Sequence, residues 1–276
     1  RGFARVVWLK SRQVGASTLA QAFVAWRAFL WPNTNAIVIA DEAERAKGLF
    51  DISKTFWENL DEDVKPSGRY ATKRELVLAN PSAVTRRSDP GLRSRIVVDS
   101  AAKKNIAIGA RWDVAHLSEA ARYPGEGKLV LDGIIPAVHR IPGTIIIIES
   151  SAEMAGTWYR DFCEAAARGQ NAFEFMFVPW YLQPEYFICP VCFCGFDPVL
   201  GMTMCKEPAA HERESERYID INGDERHIMV EFGLSPGHIF WMREKLAEMG
   251  NDWDLFRQSY PLTPDDAWVT PGRQAF

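Results

Sequence analysis

The first apolar run of the chain, Ala4 to Leu9, is too short for a stable helix and reads as a buried strand. A polar, glycine-containing turn follows, and then the period changes. From Ser17 to Leu30, the residues Leu19, Phe23, Trp26 and Leu30 recur at helical spacing. They predict a single apolar stripe along an amphipathic helix, which Pro32 and Asn33 end. Ala36 to Ala40 predicts a second short strand, after which Asp41 caps a helix running to about Leu60. Further strands are expected at Glu75 to Leu78, Arg95 to Val98 and Asp113 to Leu117, with a turn at Ser88-Asp89-Pro90-Gly91 between the first two. Lys128 to His139 reads as a helix that Pro136 kinks or shortens. Thr144 to Glu149 is the most strongly β-branched run. A helix over Trp158 to Arg168 and a strand over Phe173 to Val178 complete this part.

Strands alternating with helices imply βαβ units, and so an α/β fold whose mostly parallel sheet is covered on both faces. Sheets of this kind place ligands outside the carboxyl ends of their strands. From Pro179 onward the character changes. Residues 184 to 228 hold four of the five cysteines, a charged stretch (Glu212, Arg213, Glu214, Glu216, Arg217) and Asn222-Gly223-Asp224, and read as an irregular insertion. Residues 235 to 258 read as helical, with Ile239, Met242, Leu246 and Met249 on one side. The expected organisation is a core over 1–183, the insertion over 184–228 and a small helical C-terminal subdomain over 229–276.

Composition narrows the setting. With 276 residues and 47% hydrophobic content, the chain can bury one large core and an appendage. No apolar run approaches the roughly 18 residues of a membrane span, so no membrane is expected. No secretory signal is visible, and a cytosolic setting is the default. The chain opens Arg-Gly-Phe without Met, which suggests a piece of a longer protein. The net charge of −4 argues against a broad DNA-gripping face, since phosphate neutralisation supplies most non-specific affinity. Any DNA contacts are few and local, or lie in parts outside this chain. Five cysteines, four of them within seventeen residues, suggest a metal site or reduced thiols rather than disulfides.

The candidate chemistry begins between the first strand and the first helix, at Lys10-Ser11-Arg12-Gln13-Val14-Gly15-Ala16-Ser17-Thr18. A P-loop reads G-x-x-x-x-G-K-[ST]; its amides cradle phosphates, its lysine reaches the β and γ phosphates and its hydroxyl binds Mg²⁺. Aligned on Gly15 and Ser17, this loop has Ala16 in the lysine position and Lys10 in that of the first glycine. Either the lysine has moved to the other end of a loop that curls around the phosphates, or this is an ordinary strand–turn–helix with incidental Ser and Lys.

The string K-S-R-Q-x-G-x-S-T resembles the displaced-lysine P-loop of large terminase subunits, the DNA-packaging ATPases of tailed bacteriophages. The resemblance implies a P-loop NTPase core of RecA-like (ASCE) type that binds ATP and Mg²⁺. In it Lys10 is the phosphate lysine, Ser17 a Mg²⁺ ligand and Arg12 a charge near the γ-phosphate. An arginine that stabilises the transition state is worth roughly 10³ to 10⁵ in rate. His116-Leu117-Ser118-Glu119-Ala120-Ala121-Arg122 resembles the second acidic motif of one terminase branch. It makes Glu119 the catalytic base and lets Ser118 contact a Mg²⁺-bound water; without the loop, Glu119 is an ordinary polar strand end. His116 reads as a packed core residue. Glu149-Ser150-Ser151-Ala152, followed by Gly156-Thr157-Trp158-Tyr159, is similar to the terminase coupling motif, with Ser150 and Ser151 as sensor hydroxyls. The alternative is a Ser-rich turn capping the next helix. Arg111, in Ile108-Gly109-Ala110-Arg111, is a candidate arginine finger for a neighbouring subunit, and Arg93 and Arg95 compete with it.

The likeness continues through Pro179-Trp180-Tyr181, Pro184-Glu185-Tyr186, Ile239 to Arg243 and Phe256 to Pro261, and ends at Pro264-Asp265-Asp266-Ala267-Trp268. Ser259 stands where the family usually has Glu. In relatives this tail leads into a nuclease domain, so the chain is expected to be the ATPase portion alone, without nuclease activity. The implied partners are double-stranded DNA, the portal protein, the small terminase subunit and copies of the chain itself. These copies form a ring on the procapsid in the host cytoplasm, while the chain is a monomer in isolation. Two rival readings are another P-loop nucleic-acid translocase or helicase, and a non-hydrolysing DNA-binding relic of a P-loop protein. Cys189-Pro190-Val191-Cys192-Phe193-Cys194, with Cys205 and His211, lies outside the family pattern. It offers a zinc knuckle whose first half is a well-spaced Cys-x-x-Cys and whose second half is Cys205 with Cys194 or His211. The alternative is a loop of reduced thiols.

Overall fold

The structure is a computed structural model that describes residues 2–103, 110–124, 127–153, 157–197, 200, 202–207, 210–211, 214–215 and 218–268. Ile108 and Gly109 before Arg111, Gly156 of the third motif, and Glu212, Arg213, Glu216 and Arg217 of the charged stretch lie outside the described residues.

The chain divides into two units, Arg1–Met176 and Phe177–Phe276, with the division inside a strand. The first runs β1 (Ala4–Lys10), α1 (Ala16–Leu30), β2 (Asn35–Ala40), α2 (Ala43–Glu58), β3 (Gly68–Ala71), β4 (Glu75–Leu78) and β5 (Ser94–Ser100). It continues through β6 (Val114–Ser118), α3 (Lys128–Ala137), β7 (Ile145–Ser150) and α4 (Trp158–Ala167) to β8 (Glu174–Val178). The eight strands form one sheet in the order β3-β4-β5-β2-β6-β7-β1-β8. From β5 to β1 every pairing is parallel. The central strands β2, β6 and β7 are buried almost throughout, as their near-continuous apolar runs require when both faces are covered. β3 and β4 extend the sheet antiparallel. β3 is exposed and carries Arg69 and Tyr70, so its edge is polar enough to discourage pairing with another chain.

The first helix forms where expected, but it turns the other way. Leu19, Phe23, Trp26 and Leu30 are 40 to 55% exposed, whereas Ala20, Val24, Ala25, Ala28 and Phe29 are buried. The face with small side chains lets α1 lie close over the sheet and against α2. Apolar spacing locates the helix, but the single stripe it marks is the outward one, and a second, smaller-residue face is the one buried. A second correction concerns Asp41. It does not cap α2, whose N-cap is Glu42 with no side-chain cap bond; instead Asp41 is buried and paired with Arg45 at 2.6 Å. In α3, Pro136 occupies the last turn, where it forgoes one i→i−4 hydrogen bond, and the helix ends one residue later.

The second unit contains α5 (Gly223–Phe232), α6 (Pro236–Glu248) and α7 (Trp253–Ser259). The expected continuous helix over 235–258 is therefore two helices, broken where Gly250 and Asn251 both take positive φ (72° and 60°). Ile239, Met242 and Leu246 are buried as expected, while Met249, at the break, is only half-buried. α5 begins inside the stretch read as irregular, with a capping box in which Asn222 and Glu225 satisfy each other's backbone N–H. Arg243 of α6 grips both oxygens of Glu225, at 2.7 and 2.6 Å. Trp241 stacks on Trp180 and Tyr186, with centroids 4.9 and 4.4 Å apart, and forms the aromatic centre of this unit. No helix among the described residues is long and apolar enough to cross a membrane.

Candidate active site

Parallel pairing brings the carboxyl ends of β1, β7 and β6 side by side. Register sets Trp8 and Ser118 opposite Glu149, and Leu9 opposite Ser150. The next residues along these strands, Lys10, Ser151 and Glu119, therefore leave the sheet at one edge. Lys10 is buried, with its Nζ 2.9 Å from Glu119 Oε1 and 3.3 Å from Glu149 Oε2. One strand, β7, stands between the strand that feeds the candidate phosphate loop and the strand that ends in Glu119. Its last residues fill the space between the two.

Glu119 takes a left-handed backbone conformation (φ 50°, ψ 45°), which is uncommon for a residue other than glycine and costs on the order of 1–3 kcal/mol. This conformation turns the chain out of β6 into a 3₁₀ turn over Ala120–Arg122 and swings the carboxylate back over the sheet edge. Its second oxygen accepts hydrogen bonds from Ser150 Oγ and Ser151 Oγ, both at 3.2 Å. Arg122 lies 3.9 Å from that oxygen and 2.6 Å from Glu153.

Glu149 is fully buried and gathers the deeper half of the cluster. Its Oε1 accepts from Ser17 Oγ at 2.9 Å and from His116 Nε2 at 3.2 Å. Behind His116 the chain continues. Gln21 Nε2 lies 2.6 Å from His116 Nδ1, and Ser53 Oγ donates to Gln21 Oε1 at 2.7 Å. With the Gln21 amide so oriented, Nδ1 accepts and Nε2–H donates to Glu149, a tautomer assigned from the network. Burial pushes the Glu149 carboxyl up, but the nearby Lys10 charge and the hydrogen bonds from His116 and Ser118 outweigh it and hold the group at about 2. Lys10 shows the converse balance: burial lowers it, and Glu149 and Glu119 together raise it above its usual value.

The loop itself bends through positive φ at Gln13 (55°) and Gly15 (71°). Gly15 is the N-cap of α1 and offers no side-chain cap; the first turn holds no acidic residue. The leading amides of α1 are thus left to a ligand or to water, and the helix dipole favours an anion there. Ser11 Oγ is buried with no hydrogen-bond partner. Arg12, Gln13 and Thr18 are exposed and Val14 is half-buried. Ala16, in the usual lysine position, belongs to a buried apolar cluster with Trp8, Ala20 and Ile147. A lysine amine there starts from the core side of the loop, whereas Lys10 starts from the strand end. For Mg²⁺, a hard cation that takes oxygen ligands, the donors fit. Ser17 and Ser118 both converge on Glu149, whose Oε2 is buried without a hydrogen bond.

The three arginines considered as fingers for a neighbouring subunit lie away from this chain's own cluster. Arg111 is exposed and precedes β6, which puts it at the amino end of a strand whose carboxyl end carries Glu119. Arg93 is likewise exposed before β5. Arg95 is tied to Asn35 Oδ1 at 2.8 Å and lies over the Trp112 ring. Arg122 lies at the site edge. Beyond it opens a cavity of about 520 Å³ lined by Asp41, Glu42, Arg45, Glu153 and Thr157.

Sequence reasoning missed Glu149, Gln21 and Arg122 as site residues. The signals were a carboxylate closing the run Ile145–Ile148, a polar residue one turn after Ser17, and a cation three residues after Glu119. In the second unit, the sulfurs of Cys189, Cys192, Cys194 and Cys205 lie within 4.8 Å of one another, with His211 Nδ1 3.2 Å from Cys205 Sγ and 3.6 Å from Cys189 Sγ.

The fold and the edge at which these groups meet define an α/β P-loop architecture with one strand between the loop strand and the acidic strand. Among solved structures, the large terminase ATPase domain of Thermus phage P74-26 shares this fold. It is 21% identical, with 78% of this chain and 83% of that one covered, at a TM-score of 0.53. A point variant of that domain matches at 21% identity over 68% and 85% of the two chains, with a TM-score of 0.52. The large terminase of bacteriophage HK97 is 15% identical over 78% of this chain and 44% of that one, with a TM-score of 0.49. No protein-family model and no curated protein matches the chain. The fold is thus that of large terminase ATPase domains, a RecA-like P-loop fold.

Proposed function

We propose that this chain is the ATPase motor domain of a viral large terminase subunit, hydrolysing ATP to translocate double-stranded DNA into a procapsid. One observation carries the reading: a lysine, two carboxylates and four serine hydroxyls meet in one hydrogen-bonded cluster beside an uncapped helix start, at the carboxyl edge of a parallel sheet. Amides of residues 11–17 cradle the phosphates, and Arg12 projects from the same loop. To reach a phosphate, Lys10 has to release one of its two carboxylates. Glu149 is also held by Ser17 and His116 in the interior, whereas Glu119 is held from behind at the site's mouth by two serine hydroxyls at 3.2 Å and by Arg122 at 3.9 Å. Glu119 is therefore the partner released, and its freed carboxylate is the base that accepts a proton from the attacking water. Ser17, Glu149 and Ser118 supply oxygen ligands for Mg²⁺, directly or through water. When bound, the metal neutralises charge on the phosphate oxygens. Ser150 and Ser151 couple the position of Glu119 to β7, and so to the segment that follows it.

The acidic chain leaves much of the DNA grip to other parts of the assembly: ring neighbours, the portal protein and the small terminase subunit, in the host cytoplasm. The test is ATP turnover and nucleotide binding by wild type, Lys10→Ala and Glu119→Gln, with strand-separation assays alongside. Glu119→Gln is expected to lose about 10²- to 10⁴-fold in turnover while still binding ATP. Normal hydrolysis by that variant overturns the assignment of the base. Strand separation by wild type replaces packaging with a helicase function.

A further inference from the structure

We propose that Cys189, Cys192, Cys194 and Cys205 bind one zinc ion as a structural four-thiolate site in the Phe177–Phe276 unit. This site is independent of the nucleotide chemistry. The four sulfurs come from two stretches of chain and converge within 4.8 Å of one another. Tetrahedral zinc with Zn–S bonds of about 2.3 Å sets its sulfurs about 3.8 Å apart. Cys192 and Cys205 already stand 3.9 Å apart. Cys192 and Cys194 are closer, at 2.8 Å, yet well beyond the roughly 2.05 Å of a disulfide. That pair opens by about 1 Å to take the metal.

The backbone is shaped to hold this arrangement. Phe193 N donates to Cys189 O at 2.8 Å and Cys189 N donates to Cys194 O at 2.9 Å, with Phe193 at φ 56°; the chain thus curls back on itself around the first three sulfurs. A two-stranded ribbon follows, β9 (Phe196–Asp197) against β10 (Met202–Thr203), and Met204 N closes onto Gly195 O at 2.9 Å. The ribbon returns the chain to the turn, where Cys205 completes the set. Paired strands of two residues are not stable by themselves. Apolar packing of this segment is sparse: Leu200, Met202 and Met204 are exposed, and Phe193, exposed as well, meets the Phe240 ring at 5.6 Å, while Cys189 and Cys205 are buried. Soft thiolate donors select zinc over the hard cations. Binding deprotonates the four thiols and releases their protons to solvent. His211, against two of the sulfurs, donates a hydrogen bond to the thiolates and eases their negative charge.

The experiment measures metal content of the whole chain, purified without chelator, by elemental analysis and native mass spectrometry, with Co²⁺ substitution to count thiolate ligands by their charge-transfer absorption. Wild type and Cys163→Ala, whose thiol lies in α4, are expected to carry one zinc each. Cys194→Ser is expected to lose stoichiometric zinc. His211→Ala is expected to keep it, with affinity reduced about 10- to 100-fold as for an outer-shell partner. A zinc content near zero in wild type, with no thiolate–cobalt band on titration, overturns the site. Retention in Cys194→Ser with loss in His211→Ala overturns the four-thiolate assignment in favour of three thiolates and an imidazole. The wild-type measurements stand even if a cysteine variant fails to fold.

Discussion

Lys10→Ala perturbs the cluster at its one interior cation. Glu149 is fully buried, and the Lys10 amine 3.3 Å away is the first influence that holds its carboxyl at about 2 against burial. Removing one member of a buried ion pair costs about 3–5 kcal/mol, because the charge left behind has no counter-ion. For a domain of this size each kcal/mol shifts Tm by about 2–4 °C, so a loss of roughly 6–20 °C is expected at neutral pH. The pH dependence has a definite sign. In wild type, the stability linked to the depressed Glu149 pKa is present above its ordinary value of 4.5 and is lost as pH falls towards about 2. Without Lys10, burial prevails, and the Glu149 carboxyl rises and takes up a proton. The gap between wild type and variant therefore narrows as pH falls below about 5. Adding Glu149→Gln to Lys10→Ala removes the stranded charge, and the double variant is expected to regain about 0.5–3 kcal/mol over additivity. Scanning calorimetry of the four proteins at pH 7 and at about pH 3.5 provides the readout. An unchanged Tm for Lys10→Ala, or a pH-independent gap with strictly additive losses, refutes the buried-pair reasoning.

Other consequences follow from the same structure. His116→Leu removes a donor to Glu149 and strands Gln21; a loss of about 1–3 kcal/mol by urea denaturation is expected, and a change under 0.5 kcal/mol contradicts the network. On α1, Phe23→Gln and Leu30→Gln are expected to stay within about 0.5 kcal/mol of wild type, whereas Ala20→Leu, on the buried face, loses about 1–3 kcal/mol; the reverse order returns the apolar stripe to the core. Gly250→Ala places a Cβ at φ 72°, so it is expected to lose about 1 kcal/mol in thermal stability. A gain of similar size supports one continuous helix over 235–258.

The strands were legible because β2, β6 and β7 are buried on both faces and so cannot avoid apolar runs. What sequence could not rank was two apolar faces of one helix. In α1 the larger side chains point outward and alanines face the sheet, since close approach to the strands selects small residues. Asp41 had the chemistry of an N-cap, but Arg45 sits four residues on, and the ion pair claims its carboxylate. Helical spacing likewise passes straight through Gly250 and Asn251, because positive φ leaves no mark on periodicity. At the site, the loop, Glu119 and the two serines were readable from their order after strands. Glu149 was not, since its importance arises from register: β7 sets it between Ser17, Lys10 and His116, residues contributed by three other elements. Arg111, read as a finger for a neighbouring subunit, lies at the opposite end of β6 from Glu119, and which surface faces a neighbour's nucleotide is decided by assembly rather than within a single chain.

Crystals of the chain soaked with Mg²⁺ and a non-hydrolysable ATP analogue test most directly whether this edge of the sheet is a phosphate cradle. The analogue is expected on the amides of residues 11–17, with Lys10 Nζ moved from Glu119 onto a phosphate oxygen and the metal beside Ser17 and Glu149. An analogue bound elsewhere at saturation, with Lys10 still 2.9 Å from Glu119, contradicts it.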